Sequence, residues 1–567
     1  MTDLRRTSED LRWSKALDAQ FDPYDLPDAP GGAVGVALRG KVIYSRAFGV
    51  ANVELSVPNT LRTRFRIASI TKQFTCLTAL LLAEEGKLNI DASIRTYVPE
   101  LGAQSGEPTL RQLMNHSSGY RCYIDLGFIA DGPIAHPAFN ALELQLQQRR
   151  ANFPPGERVL YCNGSYSLLS LAIERVAQRP FAEVLRDLVL QPLDMLDTTL
   201  VPSDFEVHAR LANLYIRRNS WRRWMFFSEG MSGDGGLISS VDDMLRWACH
   251  LRNPKVVGSE ESWKQMLSPT VLPNGHVSGY SLGLELDTYR GAKLIRHSGG
   301  VVGGTSHLVI VPEFALDIFV VTNGSAAIVT ELGFQIIDTV LGAELGPKPE
   351  DPPADKYRHL LGQYHCSRTG MLLGLVEFKG CIALSLVGGP PIPLSETPEG
   401  LVAPFLKTMA GDWLIPRAAG SGARDEALMV SDCGHEDAYR RVEAKATPEV
   451  PMRDLQMCFY SPELKARARF RLASGQAELR IHGPFGVSHW ELRPMTRDLY
   501  VVANRTFPIW TAAINLRRDD QGVVAFEMSS KRTRELAFHR ISDSAALTDL
   551  DDANSEWRIQ DRLTDAL

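Results

Sequence analysis

The spacing of apolar and polar residues changes character once along this chain, near Leu341. Before that point, several stretches have helical length and composition. Gln73 to Glu85 is rich in Leu, Ala and Phe, contains no Pro, and stops at a glycine, which predicts a helix. Gly32 to Leu38 and Val42 to Val50 are β-branched runs that flank a short turn, which predicts a hairpin. Lys293 to Arg296 predicts a short strand that ends in small residues.

Beyond Leu341 the helical periodicity nearly disappears. A Pro-rich linker at 346–353 is followed by short alternating runs, which are typical of antiparallel barrels or sandwiches. A second Pro-containing segment at 447–451 divides this region in two. We therefore predict a multidomain α/β plus all-β protein. It has an antiparallel sheet flanked by helices over 1–345, antiparallel β-barrels over 346–447 and 448–543, and an acidic tail over 544–567.

The composition argues against several classes of function. The net charge of −6 and the pI of about 6.2 favour neither a nucleic acid nor an anionic membrane as partner. The first residues lack an apolar core, and no apolar run reaches membrane-spanning length. The eight cysteines are scattered without a C-x-x-C pair, so we expect reduced thiols in a cytoplasmic protein. We expect neither a metal ion nor a cofactor, and we expect a homodimer.

Candidate chemistry begins at the start of the Gln73 helix, where Ser69 precedes Lys72 by three residues. Residues three apart share one face of a helix, so the hydroxyl and the ammonium can meet. A serine at a helix N-terminus lies beside free backbone N–H groups, which suit a developing oxyanion. A buried lysine can have its pKa lowered enough to accept a proton. Taken alone, this pair is a weak signal.

Two later segments add to it. Tyr161 and Asn163 are two apart and can point the same way in an extended segment, where a phenol could shuttle a proton and an amide could orient a lysine. His297 opens a His-Ser-Gly-Gly run at a strand end. His116 lies near the end of a helix that Thr109 caps, and we interpret it as a helix cap.

In that order and at these separations, the Ser-x-x-Lys, Tyr-x-Asn and His-x-Gly segments resemble the motifs of the penicillin-recognising serine hydrolases. That group includes class C β-lactamases, D-Ala-D-Ala carboxypeptidases and related esterases, and the resemblance covers roughly residues 15–340. A hydrolase domain followed by two β domains is similar to the bacterial D-aminopeptidases, which release N-terminal D-residues, chiefly D-Ala, from peptides, amides and esters.

The resemblance implies a role for each motif residue. Ser69 is the nucleophile, Lys72 and Tyr161 form one proton-transfer system in which the base is left open, and Asn163 holds Lys72 and the acyl amide. The backbone N–H groups of Ser69 and Gly300 form the oxyanion hole, with Gly299 and Gly300 along the substrate. His297 lines the leaving-group side, where relatives place a lysine.

A substrate with a free amino terminus also needs a carboxylate for its ammonium. Asp234, in the glycine-dense loop 232–237, is one candidate. A loop of the third domain is another, and Gly483 to Gly486 is our expectation for it. We therefore expect the C-terminal domains to act as a lid that restricts substrates to free D-amino termini.

Three alternatives stay open. An esterase or amidase usually lacks the two β domains. A β-lactamase or D-Ala carboxypeptidase meets its substrate outside the cytoplasm. A non-catalytic binding protein predicts decay of at least one motif, and none has decayed here.

Overall fold

The computed structural model describes residues 8–103, 106–134, 140–224, 230–324, 326–348, 350–403, 413–416, 427–443, 455, 457–473, 476–520 and 522–541. The predicted tail, 544–567, lies outside these ranges. The helices are α1 (Ser8–Phe21), α2 (Thr71–Glu84), α3 (Leu110–Met114), α4 (Tyr123–Asp131), α5 (Asn140–Leu146), α6 (Asn163–Ala177), α7 (Phe181–Leu185), α8 (Val241–Arg252), α9 (Glu260–Met266) and α10 (Val329–Leu341).

The first part of the chain is an antiparallel sheet between two layers of helices, as the sequence predicts. Its strands are β1 (Gly32–Leu38), β2 (Lys41–Phe48), β3 (Val50–Asn52), β4 (Val57–Pro58), β5 (Phe65–Arg66), β6 (Thr199–Leu200), β7 (Leu214–Arg217), β8 (Trp221–Trp224), β9 (Leu237–Ser239), β10 (Thr270–Val271), β11 (Val277–Ser278), β12 (Glu285–Tyr289), β13 (Ala292–Val301), β14 (Gly304–Val311) and β15 (Leu316–Thr322). Among the described residues the main sheet has the order β12-β13-β14-β15-β1-β2.

The two faces of this sheet bury different clusters. Helices α1 and α10 cover one face through Leu17 and Ile337, which pack with the apolar side chains of β1, β14 and β15. Helices α2 and α8 cover the other face through Phe74 and Met244. Burial of both faces explains why β1 and β15 are almost continuously apolar and do not alternate.

The local predictions for this part hold with one correction. The hairpin β1–β2 and helix α2 are confirmed. The strand predicted at Lys293–Arg296 is longer, because β13 continues through the His-Ser-Gly-Gly run to Val301. Its glycines stay in register with β14, Gly299 opposite Ser306 and Gly300 opposite Thr305, so the strand does not end at the motif.

The second β region is a sheet that nearly closes on itself. Its strands are β16 (Gly362–Cys366), β17 (Met371–Phe378), β18 (Cys381–Leu386), β19 (Ile392–Pro393), β20 (Ser395–Glu396), β21 (Gly400–Val402), β22 (Trp413–Pro416), β23 (Leu428–Asp432) and β24 (His435–Arg441). In the described residues the order is β19-β18-β17-β16-β24-β23-β22-β21-β20. Only Leu394 separates the two edge strands along the chain, and Pro393 has no N–H to extend the ladder.

The last β region is a closed antiparallel barrel. Its strands are β25 (Cys458–Ser461), β26 (Ala466–Ala473), β27 (Gln476–His482), β28 (Val487–Pro494), β29 (Leu499–Asn504), β30 (Thr511–Asp519), β31 (Gly522–Ser530) and β32 (Leu536–Ile541), paired in chain order with β32 closing on β25. Closure removes the exposed strand edges that a sheet of this size would otherwise present.

One end of this barrel docks on the first domain. In an up-and-down barrel the turns after alternate strands lie at the same end, and here each turn after an odd-numbered strand contacts the first domain. The contacts are Glu463 with Arg121, Phe485 with Asp131, Thr506 with Arg218, and Arg532 with Asn152. Apolar residues of α4 and α5 complete the core of the barrel, so the interface is continuous with that core.

Candidate active site

Ser69 lies in a 3₁₀ turn, Ala68–Ile70, directly before α2, and the backbone is tightly fixed there. Ala68, just before it, has a positive φ of 49°. Such a conformation is uncommon for a residue with a side chain and persists only where the surroundings impose it. The Ile67 carbonyl accepts from the Ser306 hydroxyl at 2.8 Å. A Cβ on Gly299 would lie 2.2 Å from that same carbonyl, so the third motif packs directly against the first.

Lys72 is fully buried and points back at Ser69 from the next turn. Its Nζ lies 3.4 Å from the Ser69 Oγ, and it donates to Asn163 Oδ1 at 2.7 Å and to the Asp234 carbonyl at 2.5 Å. Burial lowers the pKa of Lys72 to about 7, with Asp234 opposing the shift and Arg532 adding to it. The lysine can therefore be neutral near physiological pH.

Tyr161 and Asn163 enter from the segment that leads into α6. Tyr161 is buried, and the Lys72 Nζ lies 4.7 Å from its ring centroid. Burial raises the pKa of Tyr161 far above its usual value, although Ser69 and Arg532 oppose the shift. Its hydroxyl is near Ser69 but makes no hydrogen bond of ordinary geometry within the described residues. Asn163 is the first residue of α6, so its amide projects beside Lys72.

His116 does more than cap a helix, which is the role that the sequence suggests. It is fully buried with a positive φ of 63°. Its Nδ1 accepts from the Cys162 backbone N–H at 3.2 Å, and its ring centroid lies 4.1 Å from that of Tyr161. Burial, with Lys72 nearby, lowers the pKa of His116 well below 6.5. This neutral imidazole therefore fixes the residue between Tyr161 and Asn163.

His297 is also buried and neutral. Its Nδ1 donates to the Ser298 carbonyl at 2.7 Å, which leaves Nε2 to accept from the Tyr280 hydroxyl at 3.1 Å. Burial lowers the pKa of His297 to about 3, and Lys72 adds to the shift. His297 thus supplies no positive charge to the site. Neither Tyr280 nor its link to His297 has a local sequence signal.

Asp234 approaches the site through the glycine-dense loop. Its carbonyl accepts from Lys72, while its carboxylate accepts from the Tyr123 hydroxyl at 2.9 Å and from the Ser232 N–H at 3.1 Å. Asp234 is 2% exposed. A carboxylate with both oxygens engaged acts on a neighbouring cation mainly through its charge.

A serine, a buried lysine of lowered pKa, a neutral phenol and an amide thus converge from two separate segments. The Beta-lactamase family model matches residues 20–335, more than half of the chain and the whole of this constellation. The chain belongs to the Beta-lactamase family. This agrees with the resemblance seen in the three motifs.

Comparison with individual proteins extends the match beyond that family domain. The chain is 26% identical over 551 residues to a protein of Cereibacter sphaeroides (strain ATCC 17023) named D-aminopeptidase, covering 93% of this chain and 99% of the relative. A D-aminopeptidase of Gluconobacter oxydans (strain 621H) is 27% identical over 540 residues, covering 93% and 97%. The octameric penicillin-binding protein homologue from Pyrococcus abyssi is similar in fold, with a TM-score of 0.51 at 19% identity, covering 92% and 98%.

The barrel turn that approaches Tyr161 is not the one that we expected. Phe485 and Gly486, in the expected loop, donate their N–H groups to the Asp131 carboxylate at the end of α4. The turn 530–535, between β31 and β32, reaches the candidate catalytic residues instead, and the Arg532 guanidinium carbon lies 4.8 Å from the ring centroid of Tyr161. The third domain therefore brings a cation to the site at this turn.

The described ranges contain neither a metal-binding cluster nor a membrane-spanning helix. Within them, no group of three or more His, Cys, Asp or Glu side chains is arranged to hold a metal ion. Within the same ranges, no helix has the length and apolar character needed to cross a bilayer.

Proposed function

We propose that this chain is a D-stereospecific serine aminopeptidase that releases N-terminal D-amino acids, preferably D-Ala, through an acyl-enzyme. The observation that carries the proposal is the hydrogen-bonded group of Ser69, Lys72 and Asn163 beside Tyr161, with the pKa of Lys72 lowered to about 7. The match to proteins named D-aminopeptidase along 93% of the chain, both β regions included, supports the substrate class.

Lys72 is suited to be the base that activates Ser69. A neutral amine has two N–H groups and one lone pair. Two acceptors, the Asn163 Oδ1 and the Asp234 carbonyl, take the two N–H groups. The lone pair is then left for the third neighbour, the Ser69 hydroxyl at 3.4 Å, whose proton it can accept as the oxygen attacks the substrate carbonyl.

Tyr161 is suited to be the acid that serves the leaving group. The raised pKa keeps its phenol protonated at neutral pH, so it has a proton to give when the C–N bond breaks. Lys72, which then holds the serine proton, lies against the same ring and can restore the proton to the phenol. Water attacks the acyl-enzyme in the second half of the reaction with the same groups in reversed roles.

The oxyanion is held by the N–H groups of Ser69 and Gly300 in this proposal. Ser69 contributes from the 3₁₀ turn that leads into α2, where the first backbone N–H groups have no partner within the helix. Gly300 lies on the neighbouring strand β13, and a Cβ built there would meet no atom within 4 Å, so a substrate has room beside it. A Cβ on Gly299 would have no such room. His297 does not contact the substrate in this proposal and instead holds Tyr280 in place through a hydrogen bond.

Recognition of the free amino terminus is assigned to Asp234. The substrate ammonium needs negative charge nearby, because burying it unpaired costs several kcal/mol. Asp234 lies next to Lys72, and its charge opposes the lowering of the Lys72 pKa, which shows that its field reaches the catalytic centre. The docked barrel end supports our expectation that the C-terminal region limits which acyl groups can enter.

Steady-state kinetics on matched substrates test the function. We expect hydrolysis of D-Ala p-nitroanilide, weak activity on L-Ala p-nitroanilide, and loss of turnover in Ser69→Ala. Comparable rates on D-Ala amide and N-acetyl-D-Ala amide would instead indicate a general amidase or esterase. Preference for nitrocefin would indicate a β-lactamase, and full activity in Ser69→Ala would refute the assignment of the nucleophile.

The proposed enzyme acts in the cytoplasm as a homodimer. The sequence feature that favours a cytoplasmic location is the set of scattered cysteines without a C-x-x-C pair. Light scattering on the purified chain measures the assembly, and cell fractionation measures the location. A monomer, or recovery with the exported fraction, would contradict the respective part of the proposal.

A further inference from the structure

A cavity of about 720 Å³ lies between the nearly closed sheet, β16–β24, and the closed barrel, β25–β32. The sheet lines it with the ends of β16 and β24, and the barrel lines it with β30 and with the turn between β28 and β29. Among the described residues, none of those that line it belongs to the first domain. Small-molecule sites have volumes of roughly 300–1,000 Å³ and occur preferentially at domain interfaces. The cavity therefore has the size and the location of a ligand site.

A packed interface holds the two walls of this cavity. Leu499, Val501 and Ala513 of the closed barrel are buried in the hydrophobic core of the nearly closed sheet. Across the same interface, the Ser529 hydroxyl donates to the Thr369 carbonyl at 3.2 Å. Protein cores are close-packed and resist deformation, so the two walls keep a fixed separation.

Four arginines line the cavity, two from each wall. They are Arg440 and Arg441 from the nearly closed sheet and Arg497 and Arg517 from the closed barrel. Arg517 donates to the Glu527 carboxylate at 2.6 Å, which offsets its charge. Arg440 and Arg497 are exposed, and within the described part of the chain their side chains make no hydrogen bond or ion pair. Each wall thus offers one guanidinium that is free to bind a ligand.

The remaining charged groups leave the cavity positive. Arg441 donates to neutral oxygens, the Leu361 carbonyl at 2.9 Å and the Tyr364 hydroxyl at 2.8 Å, so these contacts do not offset its charge. Two carboxylates also line the cavity, those of Glu443 and Asp498.

One of these carboxylates is already neutralised, because Asp498 accepts from Arg518 at 2.6 Å. Three guanidinium charges, those of Arg440, Arg441 and Arg497, then stand against the one carboxylate of Glu443. The cavity therefore carries an excess of positive charge, although the whole chain has a net charge of −6. A cavity of this kind attracts anions.

His365 adds a buried polar atom to the wall. Its Nε2 is inaccessible to solvent and has no hydrogen-bond partner within the described residues. Burial lowers the pKa of His365, with Asn515 opposing the shift and Arg517 adding to it, so the imidazole is neutral at physiological pH. An unsatisfied buried polar atom is costly, and an oxygen of a bound ligand can satisfy it.

We propose that this cavity binds an organic phosphate of nucleotide size, with Arg440 and Arg497 holding the phosphate group from opposite walls. Guanidinium and phosphate groups form strong, charge-assisted hydrogen bonds, often two at a time. A phosphate monoester carries about 1.5 to 2 negative charges at pH 7, which matches the excess positive charge. The cavity is much larger than a phosphate ion, and Val442 and Met495 give it apolar surface for an organic part. The inference is independent of the proposed function.

Isothermal titration calorimetry on the full chain, with AMP, adenosine and inorganic phosphate as probes, tests the inference. We expect saturable binding of AMP. Adenosine should bind at least tenfold more weakly, because it lacks the group that the arginines hold. Inorganic phosphate should also bind at least tenfold more weakly, because it leaves most of the cavity unfilled. Arg440→Gln and Arg497→Gln should each weaken AMP binding by roughly 10-fold, the scale of a hydrogen bond to a charged group.

His365→Phe separates ligand binding from a structural role. The variant removes a buried nitrogen that has no partner in the described residues, so the urea midpoint should not fall. AMP binding should weaken, because the ligand loses a hydrogen bond to Nε2. A lower urea midpoint with unchanged AMP affinity would show that His365 is structural and would remove it from the site.

Arg540→Gln is the matched control for the arginine variants. Arg540 is an exposed residue of β32 in the same barrel and does not line the cavity, so this equal change of charge should leave AMP affinity at the wild-type value. Absence of AMP binding at millimolar concentration would overturn the inference. Equal affinities for AMP and adenosine, equal affinities for AMP and inorganic phosphate, or an unchanged AMP affinity in both arginine variants would overturn it as well.

Discussion

Replacing Arg532 by Gln should shift the pH dependence of Ser69 acylation upward by about one unit. The Lys72 Nζ and the Arg532 guanidinium carbon lie 4.7 and 4.8 Å from the Tyr161 ring centroid, so the sum, about 9.5 Å, is the largest distance between them. At an effective dielectric constant of about 20, this repulsion is roughly 1.7 kcal/mol, or about 1.3 pKa units. Gln keeps a polar side chain but removes the charge.

The sign follows from the charge of the protonated lysine. Arg532 disfavours Lys72 in its ammonium form and so helps to hold the pKa near 7. Without it, the pKa rises towards about 8, and a smaller fraction of the enzyme carries a neutral base at pH 6–7. The acid limb of kcat/KM should therefore move to higher pH, with a loss of about tenfold at pH 6 and little loss above pH 9.

The assay uses p-nitrophenyl acetate, because no group of this ester titrates between pH 5.5 and 10. Rates are corrected for spontaneous hydrolysis and measured at two salt concentrations. Arg218→Gln, which removes a guanidinium that donates to the Thr506 carbonyl of another barrel turn, serves as the control. A limb that stays in place, or moves to lower pH, would refute the reasoning that Lys72 is the base and that Arg532 lowers its pKa. If the pH profiles of the wild type and Arg532→Gln become the same at high salt, the charges of Lys72 and Arg532 are more exposed than the structure indicates.

Three further outcomes are expected. Tyr161→Phe should reduce kcat/KM by ~10²–10⁴-fold with an unchanged urea midpoint, because the lost hydroxyl makes no ordinary hydrogen bond within the described residues. Arg121→Met should lower the free energy of unfolding by about 3–5 kcal/mol, because it leaves the Glu463 carboxylate buried without its partner at 2.5 Å. The double variant Arg121→Met/Glu463→Leu should recover part of this loss. Lys72→Met should abolish turnover. In the wild type the folded-state pKa of Lys72, about 7, lies below the unfolded-state value of 10.5. The stability of Lys72→Met relative to the wild type should therefore rise by up to about 5 kcal/mol as pH falls from 10.5 to 7. Urea unfolding at several pH values measures this difference.

The sequence alone determined which residues are candidates for the chemistry and which local elements present them. Ser69 and Lys72 are three apart, across a 3₁₀ turn and the start of α2, and Tyr161 and Asn163 flank a helix start, so short-range geometry fixes how each pair is presented. The alternation of apolar residues also predicted the change to antiparallel β structure after Leu341. These features depend on neighbours within a few residues, which a single sequence displays.

Tertiary structure decided what those residues can do. The pKa of Lys72 is set by burial under segments far away in the chain, and no spacing rule encodes that burial. The length of β13 depends on its pairing with β14, so the predicted strand was too short. The choice of turn 530–535 over the expected Gly483–Gly486 loop follows from how the barrel closes and which side of its end faces Tyr161. Turn residues have similar local signals at every hairpin, and only the docked fold distinguishes them.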